Sequence, residues 1–91
     1  MPGFFVYMPT VLFYNGWRFF FYSNENNEPV HIHCQKGEKD CKFWLKVEEY
    51  DVDLAFSFNM NSRDLNEVRK LIFNNFQYLI EKWSEFQQKK I

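Results

Sequence analysis

Residues 16–45 read GWRFFFYSNENNEPVHIHCQKGEKDCKFWL, and the fold turns on how this stretch alternates. It holds the densest aromatic run, both histidines and both cysteines. The segment 30–35 turns around Gly37 and returns as 40–46. If Gly37 and Glu38 are the loop residues of a type II′ turn, Cys34 faces Cys41, His33 faces Lys42, Ile32 faces Phe43 and His31 faces Trp44. Successive strand residues point to opposite faces, so Val30, Ile32, Cys34, Cys41, Phe43 and Leu45 form an apolar face. His31, His33, Gln35, Asp40, Lys42, Trp44 and Lys46 form the other.

Upstream, Asn15-Gly16 tolerates positive φ at both positions and predicts a type I′ hairpin between 10–14 and 17–22. Tyr14 then lies opposite Trp17, Phe13 opposite Arg18, Leu12 opposite Phe19 and Val11 opposite Phe20. Both faces of this hairpin carry aromatics, which suits a central position or one covered on both sides. Ser23 to Glu28 is a polar loop closed by Pro29. Downstream, Lys46 to Asp51 is charged and reads as a turn, after which Val52, Leu54, Phe56 and Phe58 alternate with Asp51, Asp53, Ala55 and Ser57 as a further strand.

Asn61 can cap a helix, and Asp64 falls at its third position, where a negative charge favours the helix N-terminus. From there Leu65, Val68, Ile72, Phe76, Leu79, Trp83 and Phe86 recur at steps of three and four, one stripe of a long helix to about residue 88. Leu71, Phe73, Tyr78 and Ile80 widen that stripe, which implies either deep burial or contact with a second subunit. The expected fold class is α+β: an antiparallel sheet of four to five strands, built from hairpins, with one long C-terminal helix packed on it.

Ninety-one residues allow one core. With 12 Phe, 5 Tyr and 3 Trp, that core can be made of few large side chains. Eleven basic against twelve acidic residues give a net charge of -1, which withholds the basic footprint of a protein that grips many phosphates. No apolar run is long enough for a membrane span, and the first residues, MPGFFVYM, lack the basic segment of a signal peptide. The expected location is cytoplasmic, with reduced thiols.

His31-x-His33 places two imidazoles on one strand face, where they could share a divalent ion or act as a base and an electrostatic partner. A metal would need a third ligand from Glu25, Glu28 or Asp40. The plainer reading has both histidines as half-exposed sheet residues, His31 on Trp44 and His33 beside Lys42. Cys34 and Cys41 fall at a hydrogen-bonded strand pair, which fits a disulfide poorly, so free core thiols are expected. Arg18, Lys42 and Lys46 with Trp44, Phe20 and Tyr22 have the look of a single-strand nucleic-acid platform, but Phe20 and Tyr22 read more economically as core under the helix. The candidate functional face is therefore His31, His33, Trp44, Lys42, Arg18, Asp40 and Glu28.

MPTVLF (8–13), WRFFFYSNENNEP (17–29), the pair His31 and His33, KFWL (42–45), VDLA (52–55), SRDLNEV and LIEKWSEF resemble the small bacterial family catalogued as domain of unknown function 4160. The resemblance implies a single domain over 8–91 with 1–7 as an N-terminal extension. It departs at Val30, where the family often has a second proline, and at Cys34, where an aliphatic residue is common. It implies no catalytic residue, and it points to a component of a toxin–antitoxin-like module. The expected function is a small cytosolic protein-interaction domain of that kind, with no resident cofactor, a non-enzymatic role favoured, and a homo-oligomer or a partner protein as its associate. The alternatives are a metal-assisted hydrolase or nuclease using His31 and His33, and a single-stranded nucleic-acid binder.

Overall fold

Asn15 (φ 52°) and Gly16 (φ 83°) both occupy the left-handed region, the geometry a two-residue type I′ turn demands. In the computed structural model, which describes residues 10–22 and 28–89, this turn joins β1 (Thr10–Tyr14) to β2 (Trp17–Phe20). Gly37 (φ 60°) makes the second tight turn, between β3 (His31–Lys36) and β4 (Lys39–Lys46). A four-residue connection leads to β5 (Asp51–Phe58). The five strands lie in sheet order β1-β2-β3-β4-β5, each antiparallel to the next. The proposed extension 1–7 and Glu25 lie outside the described residues.

The β3–β4 register is the one the turn arithmetic predicts, from His31 opposite Trp44 to Lys36 opposite Lys39. The Leu45 amide donates to the Val30 carbonyl at 2.9 Å, which extends the same ladder. Two irregularities depart from the expected pattern. Thr10, not Val11, lies opposite Phe20, because the β1–β2 register shifts between Thr10 and Leu12. On β5, Leu54 pairs with Phe43 and Phe56 with Lys42, so Ala55 is an extra residue. A bulge of this kind reverses the side-chain parity that follows it. Val52 and Leu54 therefore share the side of Leu45 and Phe43, whereas Phe56 and Phe58 share the side of Lys42 and Asp40.

On the first side Trp17, Phe19, Phe21, Ile32, Cys34, Cys41, Phe43, Leu45 and Val52 form one buried cluster with Val68, Leu71, Ile72, Phe76, Leu79 and Phe86 of the helical layer. Each fully buried aromatic there contributes roughly 2–3 kcal/mol by removal of apolar area from water. Cys34 and Cys41 are free and buried in this core, and burial with the neighbouring Cys41 pushes the Cys34 thiol far above its ordinary value. Neither is placed as a nucleophile.

The helical layer is two helices, α1 (Ser62–Asn74) and α2 (Phe76–Lys89), rather than one. Its start carries the Asn61 cap expected from the sequence, and Asp64 closes it into a capping box: the Asp64 amide donates to Asn61 Oδ1 at 2.8 Å and the Asn61 amide to Asp64 Oδ2 at 3.1 Å. The break falls at Asn75, whose amide turns to the carbonyls of Ile72 and Phe73. Its side-chain amide takes the Leu71 carbonyl at 2.8 Å, the partner the backbone would have used. Asparagine favours such local competition over helix continuation. The apolar stripe nevertheless continues across the break, and both halves pack on one core.

The sheet's two edges are closed off in part. Val11 of β1 accepts a hydrogen bond on its carbonyl from the Tyr78 hydroxyl at 2.7 Å. Val52 of β5 lies opposite Leu45, whose amide points to β3, so its own polar groups face the outer edge. The Asp51 carboxylate takes the Val52 amide at 2.8 Å, and Arg69 Nη1 donates to its carbonyl at 3.3 Å. With the bulge at Ala55, these contacts blunt edges that could otherwise pair with another chain. The hairpin expected to be central or covered on both sides is thus at one end of the sheet and covered only at β2. β1 is an edge strand, with Phe13 67% and Tyr14 53% exposed.

Candidate functional site

Alternation and register bring the sequence-selected residues onto one sheet face in three rows. The first runs Phe13, Arg18, Gln35, Asp40, Phe58; the second Thr10, Phe20, His33, Lys42, Phe56; the third His31, Trp44, Asp53. Glu28, in the loop before β3, reaches this face as well. Its Oε1 accepts from Lys42 Nζ at 2.6 Å and stands 3.8 Å from His31 Nδ1. Lys42 also lies over the Trp44 ring, 4.6 Å from its centroid.

The histidines are buried, not half-exposed: His31 is fully buried and His33 is 8% exposed. The cause is a collar of rings. His31 donates from Nδ1 to the Pro29 carbonyl at 2.8 Å and meets Trp44 and Trp83 edge-on at 5.8 and 5.0 Å. His33 stacks on Phe20 at 5.5 Å and meets Tyr22 at 4.4 Å. The two imidazoles face each other at 5.2 Å, nearly perpendicular. Trp83 also touches Phe21, so this α2 residue spans from the core to the histidine side. Phe20 is buried on the histidine side beside His33, and with Tyr22 it is not core under the helices. Among the described residues no group of three His, Cys, Asp or Glu side chains converges as metal ligands would.

Arg18 donates to Thr10 Oγ1 at 2.6 Å and lies 4.3 Å from the Phe20 centroid. The cations of this face are thus held by neighbours rather than extended as a row. What the face leaves open is apolar: Phe56 is 50%, Phe58 58% and Phe13 67% exposed. The first two were expected to stay with Val52 and Leu54; only the bulge at Ala55, for which the sequence gives no local signal, turns them here.

These features define an α+β domain, an antiparallel five-stranded meander with helices on one face and a half-open aromatic face on the other. The chain belongs to the family described as Domain of unknown function (DUF4160), whose model matches residues 16–84. No curated protein and no solved structure matches it. Among the described residues, no helix is long and apolar enough to cross a membrane.

Proposed function

We propose that the domain acts by binding another protein, as one component of a toxin–antitoxin-like pair, and that it does so through the open half of its histidine-side sheet face. The observation that carries this reading is the exposure of Phe56 and Phe58 on β5, where both rings stand beside Lys42 and Asp40. An apolar centre bordered by charges is the usual anatomy of a protein interface. The blunted edges favour contact through the face over strand addition. The toxin–antitoxin element rests on the family resemblance of the sequence motifs.

The nucleic-acid reading has weaker support, since Arg18 and Lys42 are engaged by Thr10, Phe20, Glu28 and Trp44. The hydrolase reading requires a substrate to reach imidazoles that are enclosed by rings. The experiment is affinity isolation of the tagged chain from its native host, in parallel with a Phe56→Thr, Phe58→Thr variant. Retention of a stoichiometric protein by the wild type and its loss in the variant is the expected result. No stoichiometric protein, or equal retention by both, overturns the proposal.

A further inference from the structure

A concavity lies away from this face, between the tip of the β1–β2 hairpin and α1. Its volume is about 420 Å³, within the range of small-molecule sites. Tyr14 and Asn15 form one wall, and α1 forms the other with Arg63, Asn66, Glu67 and Lys70. Steps of three and four place those four side chains on one helix face. Leu71, 7% exposed, is the apolar part of the lining.

The chemistry of the lining is selective. The Tyr14 ring is 53% exposed, so an aromatic face is available in the groove. Among the described residues neither Arg63 nor Lys70 has an ion-pair partner, unlike Lys39, Lys42, Lys46 and Lys82. The two cations stand two turns apart, about 10 Å along the helix axis, and flank the space beside Tyr14. Glu67 lies between them and accepts from the Asn15 side-chain amide at 3.4 Å, which leaves acceptor capacity toward the groove. A planar base with exocyclic N–H groups and an attached phosphate would use the ring, the acceptor and the cations together.

We propose that this groove binds a nucleoside phosphate, with the base stacked on Tyr14 and hydrogen-bonded to Glu67, and the phosphate held by Arg63 and Lys70. This site is separate from the protein-binding face and stands on different residues. It is tested by amide chemical-shift titration of the full chain with AMP, GMP and CMP, with UMP, whose base has no exocyclic N–H and should bind more weakly, with a 5′-phosphorylated trinucleotide, and with inorganic phosphate. Saturable shifts at Tyr14, Asn15, Asn66 and Lys70 are expected, with affinity falling roughly tenfold in Lys70→Gln and in Arg63→Gln and unchanged in Phe56→Thr. Both substituted groove cations are exposed helix positions, so the variants keep the fold. Tyr14→Leu, which keeps an apolar strand residue but no ring, separates stacking from charge and should weaken the nucleotides while leaving inorganic phosphate unaffected. Binding of a mononucleotide assigns a free ligand, and binding of the trinucleotide alone assigns a strand end. Absence of saturable shifts at millimolar concentration, inorganic phosphate binding as tightly as every nucleotide, or shifts that survive Lys70→Gln and Arg63→Gln overturns the proposal.

Discussion

Replacing Phe56 and Phe58 by threonine separates a binding role from a structural one. A phenylalanine presents on the order of 200 Å² to solvent when fully exposed. Phe56 and Phe58 are 50% and 58% exposed, so about 100 Å² of each side chain is open to water and is what the proposed partner would cover. At roughly 25 cal/mol per Å² this is ~2.5 kcal/mol of gross binding free energy per ring, close to a hundredfold in affinity. The part already covered contributes at most ~2.5 kcal/mol to folding, an upper bound because the unfolded chain also hides apolar area. Threonine keeps the β-branched shape that suits a strand. Phe43→Ala, at a fully buried core site, is the reference and should cost about 3–5 kcal/mol. Urea unfolding and calorimetric titration with the isolated partner measure the two quantities. Loss of stability as large as that of Phe43→Ala would show that both rings are core, and an unchanged affinity in a folded variant would remove this face from the interface.

Three further outcomes follow from individual contacts. The Asp64 carboxyl is held below its ordinary value by the Asn61 backbone amide and then by Lys39, whose Nζ lies 3.0 Å away. A depressed folded pKa means that its stabilisation is complete above about pH 3.9 and lost as pH falls through the folded value. Urea midpoints should therefore drop in acid for the wild type and less steeply for Asp64→Asn; parallel pH profiles would contradict this. Trp17 Nε1 is buried with no hydrogen-bond partner among the described residues, so Trp17→Phe removes a desolvated donor worth about 1–3 kcal/mol while opening a small cavity at ~1 kcal/mol. Its net effect on the unfolding free energy should lie near zero, and a loss of about 3 kcal/mol or more would mean the indole N–H is satisfied. Gly16→Ala places a Cβ 3.0 Å from Lys36 Cε at a φ of +83°, which should destabilise by about 1 kcal/mol in thermal unfolding; an unchanged midpoint would argue against the type I′ turn.

The hairpins were legible because their turns are written in residues with a conformational reason to be there. Asn15-Gly16 and Gly37 carry positive φ, and once a two-residue loop is placed the register of every following pair is arithmetic. The helical stripe and the Asn61–Asp64 cap were legible for the same kind of reason. The break at Asn75 left a signal that periodicity overrode: two consecutive asparagines, 74 and 75, in the middle of an apolar stripe whose spacing survives the interruption. The bulge at Ala55 left none, because an inserted residue changes parity without requiring a special side chain. Alternation likewise assigned the histidines to the correct face, but it does not say how much of a face is closed. Burial of His31 depends on Trp83, fifty-two positions away, reaching past Phe21 to the histidine side.

That difference reshapes the candidate face. Its seven selected residues do share one side of the sheet, yet the ones with conspicuous chemistry are the ones most occupied by neighbours. His31 and His33 sit among rings, and Lys42 is held between Glu28 and Trp44. Arg18 is tied to Thr10. The rings left open, Phe56 and Phe58, are exposed because a bulge turned them from the core side. A bulge that serves only to blunt an edge does not need large apolar side chains after it, and soluble sheet edges favour charges there. Keeping two phenylalanines in water at that point opposes the tendency of apolar area to be buried, and a bound protein would reverse that exposure. The bulge thus has two effects on β5: it blunts the edge against a passing strand and turns two rings onto the face proposed for a partner.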